Sequence, residues 1–376
     1  MGTCLLSSPS SSVPNTMLSL LVETLFFAAS LSAVAQSVSP SGHNHKHLST
    51  DVQGSAQSPI LYKRNITLIG PHDYLQFFNI AAIPDPSGGA VQYVNQSEAR
   101  RLDLYGTGKT GGFRFGADLS EANITGTGRK SLRLESYDAY GEGLYVFHVK
   151  SGPSGCGTWP AMWTYGALEW PTHGEIDVLE WTNGRRKPNG ANIHTGLNCT
   201  MPGDEDNRYY SGESQGILDC DSVNGKNGNM ACGIDMTRSP LSAGLLHNRN
   251  GGGYHVMERM QSTIKVWFFT ECSAPRELRQ VKTIASLTTA NFGKPDARFP
   301  TTATCDIATH INRPHTIVLN IDFCGLAQAY WEAEGCLALA PDCASWTATP
   351  DATAYYKGQG RSVEFDIESM SIFAPS

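Results

Sequence analysis

From about Leu61 onward the chain is written in short β-type runs punctuated by turn formers, and this pattern most limits what it can fold into. Ser131 to Ser136 alternates in polarity, as does Ser362 to Glu368. Gly143 to Val149, Ser262 to Phe269 and Thr316 to Asn320 are rich in β-branched and aromatic residues. Each run is bounded by Gly, Asn, Asp or Pro. Long stretches of 3.6-residue period are nearly absent, and no repeat of solenoid or propeller type occurs. Glycine fills 38 of 376 positions, above the usual ~7%, which fits many turns. The expectation is an all-β chain, folded as a sandwich or barrel of antiparallel strands.

Charge and cysteine usage narrow the functional classes. The net charge is −7, and no basic run exceeds Arg185-Arg186-Lys187, which argues against nucleic acid or an anionic membrane as partner. Residues 17–35 are mostly apolar, and Ala33-Val34-Ala35 fits a small-x-small cleavage site. Residues 1–35 are therefore read as a signal peptide, with Met17 as an alternative start. Residues 36–55, Ser-, His- and Gly-rich, are read as a flexible linker, and 56–376 as one domain. His43, His45 and His47 in the linker are read as a solvated tail rather than a metal tract. Sequons at Asn65, Asn95, Asn123 and Asn198 agree with export. Of ten cysteines, nine follow the signal, with no metal-type CxxC pair. They are read as disulfides with one thiol left over, Cys336 and Cys343 being able to close a local loop.

The stretch from Cys156 to Gly196 carries the chemistry. In a strand, Glu175 and Asp177 share a face. Glu180 would point the other way unless a β-bulge adds one residue, and bulges favour active sites. With the bulge, three acids face one side while Ile176 and Val178 face a core. The two glutamates then sit about four strand steps apart, roughly 13 Å between Cα atoms. Inward-leaning side chains could bring their carboxyls to the ~5–5.5 Å of a retaining glycosidase. Two close carboxyls split their protonation states. Glu175 is assigned as nucleophile, Glu180 as acid then base, and Asp177 as the group that tunes Glu175. Three alternating acids could also form a solvated face or bind calcium. Trp159, Trp163, Trp170 and Trp181, crowded into 23 positions, favour a saccharide cleft, because sugar rings stack on aromatic planes. Folding about a loop at Asn183 to Gly190 sets His194 opposite Leu179 or Glu180.

Gly174-Glu175-Ile176-Asp177-Val178-Leu179-Glu180-Trp181, with Gly157-Thr158-Trp159-Pro160-Ala161-Met162-Trp163 before it and His194-Thr195-Gly196 after it, resembles glycoside hydrolase family 16. The resemblance is nearest to fungal endo-1,3(4)-β-glucanases. It continues more weakly through Phe77 to Val94, Gly252 to Glu258, Phe292 to Pro295 and Asp322 to Gly325. It implies a jelly-roll β-sandwich of two antiparallel sheets with a concave cleft, and retention at the anomeric carbon. The roles of Glu175, Asp177 and Glu180 carry over, and Trp159, Trp163, His194 and Glu258 are implied to line the cleft. The implied partner is β-glucan, met by a secreted monomer with no cofactor, metal, nucleic acid or membrane. Arg259 stands where similar sequences often carry Trp, so a cation replaces an aromatic platform. Cys272, where no cysteine is expected, is the candidate for the odd thiol. A transglycosylase would use the same residues. A non-catalytic glucan-binding protein would have lost the acids, and a calcium-dependent adhesion sandwich would unfold on chelation.

Overall fold

The structure is a computed structural model that describes residues 59–120, 124, 126–184, 187–203, 208–223, 231–358 and 363–376. The signal peptide, the linker with its histidines, and the Asn123 sequon lie outside the described residues. The other three sequon asparagines are exposed. Among the described residues no helix is long and apolar enough to cross a membrane.

Two antiparallel sheets carry the fold. One runs Ser286–Leu287, Tyr62–Leu68, Glu364–Pro375, Gly143–Ser151, Gly253–Met260, Thr263–Thr270, Ala297–Pro300, with Phe113–Gly116 and Tyr105–Thr107 branching from Glu364–Pro375. The other runs Glu213–Ser214, Cys232–Asp235, Gly190–His194, Glu175–Glu180, Thr158–Tyr165, His315–Phe323, Arg133–Tyr140, Phe78–Ile80. The expected runs are all found in strands. The described part of the last, Val363 to Glu368, continues to Pro375 because Met370 to Pro375 pair with the first strand, Tyr62–Leu68. The all-β expectation holds, and the architecture is a jelly-roll sandwich.

The core between the sheets is built by alternation. Met162, Ile176, Ile193, Ile317, Leu319 and Ile321 come from one sheet, and Phe147, Met257, Val266, Phe268 and Phe365 from the other. The first sheet also buries its far face: Tyr62, Leu144, Val146, Tyr254, Val256, Trp267 and Phe373 pack under Ala274, Leu278, Val281 and Phe292. Strands covered on both sides read as continuous apolar runs rather than alternating ones, which explains the texture of Gly143 to Val149.

Disulfides tie the loops to this frame: Cys156–Cys336, Cys199–Cys305, Cys220–Cys232 and Cys324–Cys343. Two expectations are corrected. Cys336 and Cys343 do not pair with each other: Cys336 bonds to Cys156, just before the strand Thr158–Tyr165, and Cys343 to Cys324, just after the strand His315–Phe323. Cys272 is not a free thiol but disulfide-bonded.

The core also holds two histidines with unmet ring nitrogens. His247 and His255 are fully buried, with rings 5.4 Å apart. His247 Nε2 and both ring nitrogens of His255 meet no hydrogen-bond partner among the described residues. Burial pushes His247 down to about 4 and His255 well below the ordinary imidazole range. The unfolded chain binds protons below pH ~6.5 and the folded chain does not, so stability falls as pH falls through that value. We expect each to remove about 2 kcal/mol between pH 7 and pH 5. Urea unfolding at the two pH values measures this, and His255→Leu should remove roughly half of that pair's drop.

Candidate active site

The central strand Glu175–Glu180 is paired on both sides. Against Thr158–Tyr165 the register runs Glu175 with Tyr165, Ile176 with Thr164, Asp177 with Trp163, then Leu179 with Met162 and Glu180 with Ala161. Val178 is the extra residue, so the bulge required by the acidic pattern is present. Ile176, Val178 and Leu179 are fully buried, while Glu175, Asp177 and Glu180 share the face that carries Trp159, Trp163 and Tyr165. Gly174 leads into the strand at φ +81°, and a Cβ there would lie 2.3 Å from Ile311 Cδ1 and 2.8 Å from the His310 carbonyl oxygen. Only glycine fits this approach.

A bulge disrupts its ladder locally, and here the Asn189 side chain completes the bonding. The Glu180 N–H donates to Asn189 Oδ1 at 2.8 Å, and Asn189 Nδ2 donates to the Val178 carbonyl at 2.8 Å. Asn189 is fully buried. We expect Asn189→Ala to cost about 1–3 kcal/mol, the range for unsatisfied buried groups. Activity should fall as well, because Glu180 loses its anchor. Chemical denaturation together with kcat checks both, and unchanged values would contradict the role.

Each acid has defined partners. Trp159 Nε1–H donates to Glu180 Oε1 at 2.8 Å, and Asn192 Nδ2–H to Glu180 Oε2 at 2.9 Å. Trp170 Nε1–H donates to Glu175 Oε2 at 2.7 Å. Burial is the main force on the other two carboxyls, and it pushes both up. The Trp170 donor and the Arg133 cation pull Glu175 back toward the charged form, whereas every influence on Asp177 raises it further. Of the two, Glu175 is the one with neighbours that favour its charged form.

The site residues expected from sequence are mostly brought together. Trp163 stacks under the Arg133 guanidinium, 5.0 Å from its ring centroid, and its Nε1–H donates to Asn320 Oδ1 at 2.8 Å. His194 faces the acids, but in a different register: it pairs with Glu175, not with Leu179 or Glu180. The bulge and the Asn189 bridge consume residues that a symmetric hairpin would have paired. His194 Nδ1 lies 2.9 Å from Ser222 Oγ, and burial pushes the imidazole down to about 4.

Glu258 is not in this cluster. It sits on Gly253–Met260 of the opposite sheet and faces the outer apolar layer. There it accepts from Tyr62 Oη at 2.8 Å and Thr289 Oγ1 at 2.9 Å and pairs with Lys265 at 2.6 Å. Its strand is buried on both faces, so alternation gave no sign of which face Glu258 takes. Arg259 is not a platform either. It is buried and donates to the backbone carbonyls of Tyr140, Ile311 and Arg313. Asn192 and Asn189 were missed as site groups, and Trp170, counted among the cleft tryptophans, was not assigned to Glu175. Asn192 stands two residues before His194, hence on its face, and was legible; Asn189 acts from a loop, and no periodicity marks it.

A family model described as an XgeA-like, catalytic GH16 domain matches residues 77–373. An endo-1,3(4)-β-glucanase of Emericella nidulans is 34% identical over 260 residues, 67% of this chain and 37% of that protein. One from Arthroderma benhamiae is 32% identical over 277 residues, 73% of this chain and 58% of the other. The chain spans about a third of the length of the first curated relatives it matches. GH16 laminarinase 16A of Phanerochaete chrysosporium, solved with β-glucans in donor and acceptor sites, is 34% identical with a TM-score of 0.73, over 83% of this chain and 99% of that one. An elongating GH family 16 β-1,3-glucosyltransferase is 29% identical with a TM-score of 0.72, over 83% and 100%. With the bulged acidic strand, these matches place the chain in glycoside hydrolase family 16, as an XgeA-like catalytic domain.

Proposed function

We propose that this chain is a secreted, retaining endo-β-glucanase that cuts internal β-1,3 and mixed β-1,3/1,4 linkages. The observation that carries the reading is the bulge at Val178, which turns Glu175, Asp177 and Glu180 to one face beside Trp159, Trp163 and Trp170. Glu175 attacks the anomeric carbon while Glu180 gives its proton to the departing glycosidic oxygen. Trp159 and Asn192 hold the two Glu180 oxygens in place. In the second step Glu180 takes a proton from water, which displaces Glu175 with a second inversion. Asp177, on the same face as Glu175 and raised by burial, tunes the charge on Glu175 as the ester forms and breaks. The disulfides and exposed sequons support an extracellular setting.

A second reading shares every residue. The glucosyltransferase is nearly as similar in structure as the laminarinase, so a sugar hydroxyl could replace water in the second step. Incubation with laminarin and with barley mixed-linkage glucan separates the two by product size over time. Short oligosaccharides support the hydrolase, and their relative rates give the linkage preference. Products longer than the input support transfer, and unchanged polymers contradict both.

A further inference from the structure

Glu175 Oε1, Asp177 Oδ2 and His194 Nε2 converge on one point. His194 Nε2 stands 3.6 Å from each oxygen, beyond hydrogen-bond length and too close for a water between them. Asp177 is 4% exposed, and its Oδ2 is buried and meets no hydrogen-bond donor among the described residues. Such an unmet buried oxygen is costly and calls for a ligand. The remaining atoms of the same groups are engaged elsewhere. Glu175 Oε2 accepts from Trp170, and His194 Nδ1 lies against Ser222 Oγ. When Nδ1–H donates to Ser222, Nε2 turns its lone pair toward the two oxygens, the outer-shell arrangement of metal-ligating histidines.

The spacing fits a small ion. Two bonds of ~2.1 Å, as zinc makes to nitrogen and oxygen, span a 3.6 Å edge at an angle of about 118°, between the tetrahedral and trigonal values. One imidazole and two carboxylate oxygens suit a borderline divalent transition ion. Calcium wants about six to eight oxygens at ~2.3–2.6 Å, which this set does not offer.

We propose that Glu175, Asp177 and His194 form a binding site for one zinc-class divalent cation, and that the cation and the glucan exclude each other there. The exclusion rests on the reading of Glu175 as the group that meets the sugar; the binding does not. The ion would be an inhibitor, since it ties down the attacking oxygen.

Equilibrium dialysis of the full chain against Zn²⁺ tests the site, beside His194→Gln and Asp177→Asn, each checked for native circular dichroism. The wild type should hold one equivalent that both variants lose or bind at least ~10-fold more weakly, the effect of losing even an outer partner. Asp177→Asn is nearly isosteric and carries the test if His194→Gln does not fold. Equal retention by wild type and a folded variant overturns the site, whatever zinc the His43 to His47 tract also binds. A laminari-oligosaccharide should release the equivalent from the wild type, and retention at saturating sugar overturns the exclusion. Failure to cleave any glucan, with this zinc equivalent intact, would strike the proposed hydrolase and leave the cation site standing.

Discussion

Glu175→Ala loses turnover of β-glucan by about 10⁴-fold or more while keeping its fold. The magnitude follows from removing a group that forms the covalent intermediate, whose loss disables the whole catalytic unit. The fold is spared because Glu175 contributes nothing to the core: Ile176, Val178 and Leu179 hold the strand in place from the other face. Stability should hold or rise, since burial disfavours charge on this carboxyl and Glu180 repels it. Functional sites commonly carry such a cost. The checks are kcat/KM on laminarin and the thermal midpoint. Near-normal turnover would remove Glu175 from the mechanism. A collapsed midpoint would make the strand's acids structural.

Glu180→Ala behaves differently with different leaving groups. On a natural glucan the departing oxygen needs a proton, and turnover should fall about 10²–10⁴-fold, the range for general acid catalysis. On an aryl glycoside with a good leaving group the first step needs no acid, so the glycosyl ester on Glu175 still forms. Its breakdown then lacks a base, and azide, which needs none, should restore turnover and give a β-glycosyl azide. The Trp159 and Asn192 donors would be left facing a void open to the incoming anion. Full activity on glucan, or an aryl glycoside that azide does not rescue, would assign the acid role elsewhere.

Much of this site was legible because strand geometry is strict. An acidic pair five residues apart cannot share a face without one added residue, so the spacing of Glu175 and Glu180 itself demanded the bulge found at Val178. The Trp159 and Trp163 spacing worked the same way. The failures fall where that strictness ends. The register of His194 depended on a loop whose Asn189 side chain replaces backbone bonds. Glu258 lies in a strand buried on both faces, where its charge is balanced by Lys265 and two hydroxyls rather than exposed to sugar. Arg259 went astray for the same reason: a buried cation bound to backbone carbonyls reads no differently in sequence from an exposed one. Disulfide partners are set by loop paths, which composition does not encode.

The central claim is a double displacement through Glu175. It is tested most directly by reacting the protein with a 2-deoxy-2-fluoro laminaribiosyl fluoride and locating the adduct by peptide mass mapping. The 2-fluorine slows both formation and breakdown of the intermediate, and the fluoride leaving group speeds its formation, so the intermediate accumulates. The account predicts one adduct, an ester on Glu175. An adduct on Glu180 or Asp177 would reassign the nucleophile, and the absence of any adduct in a protein that still cleaves glucan would contradict the covalent mechanism.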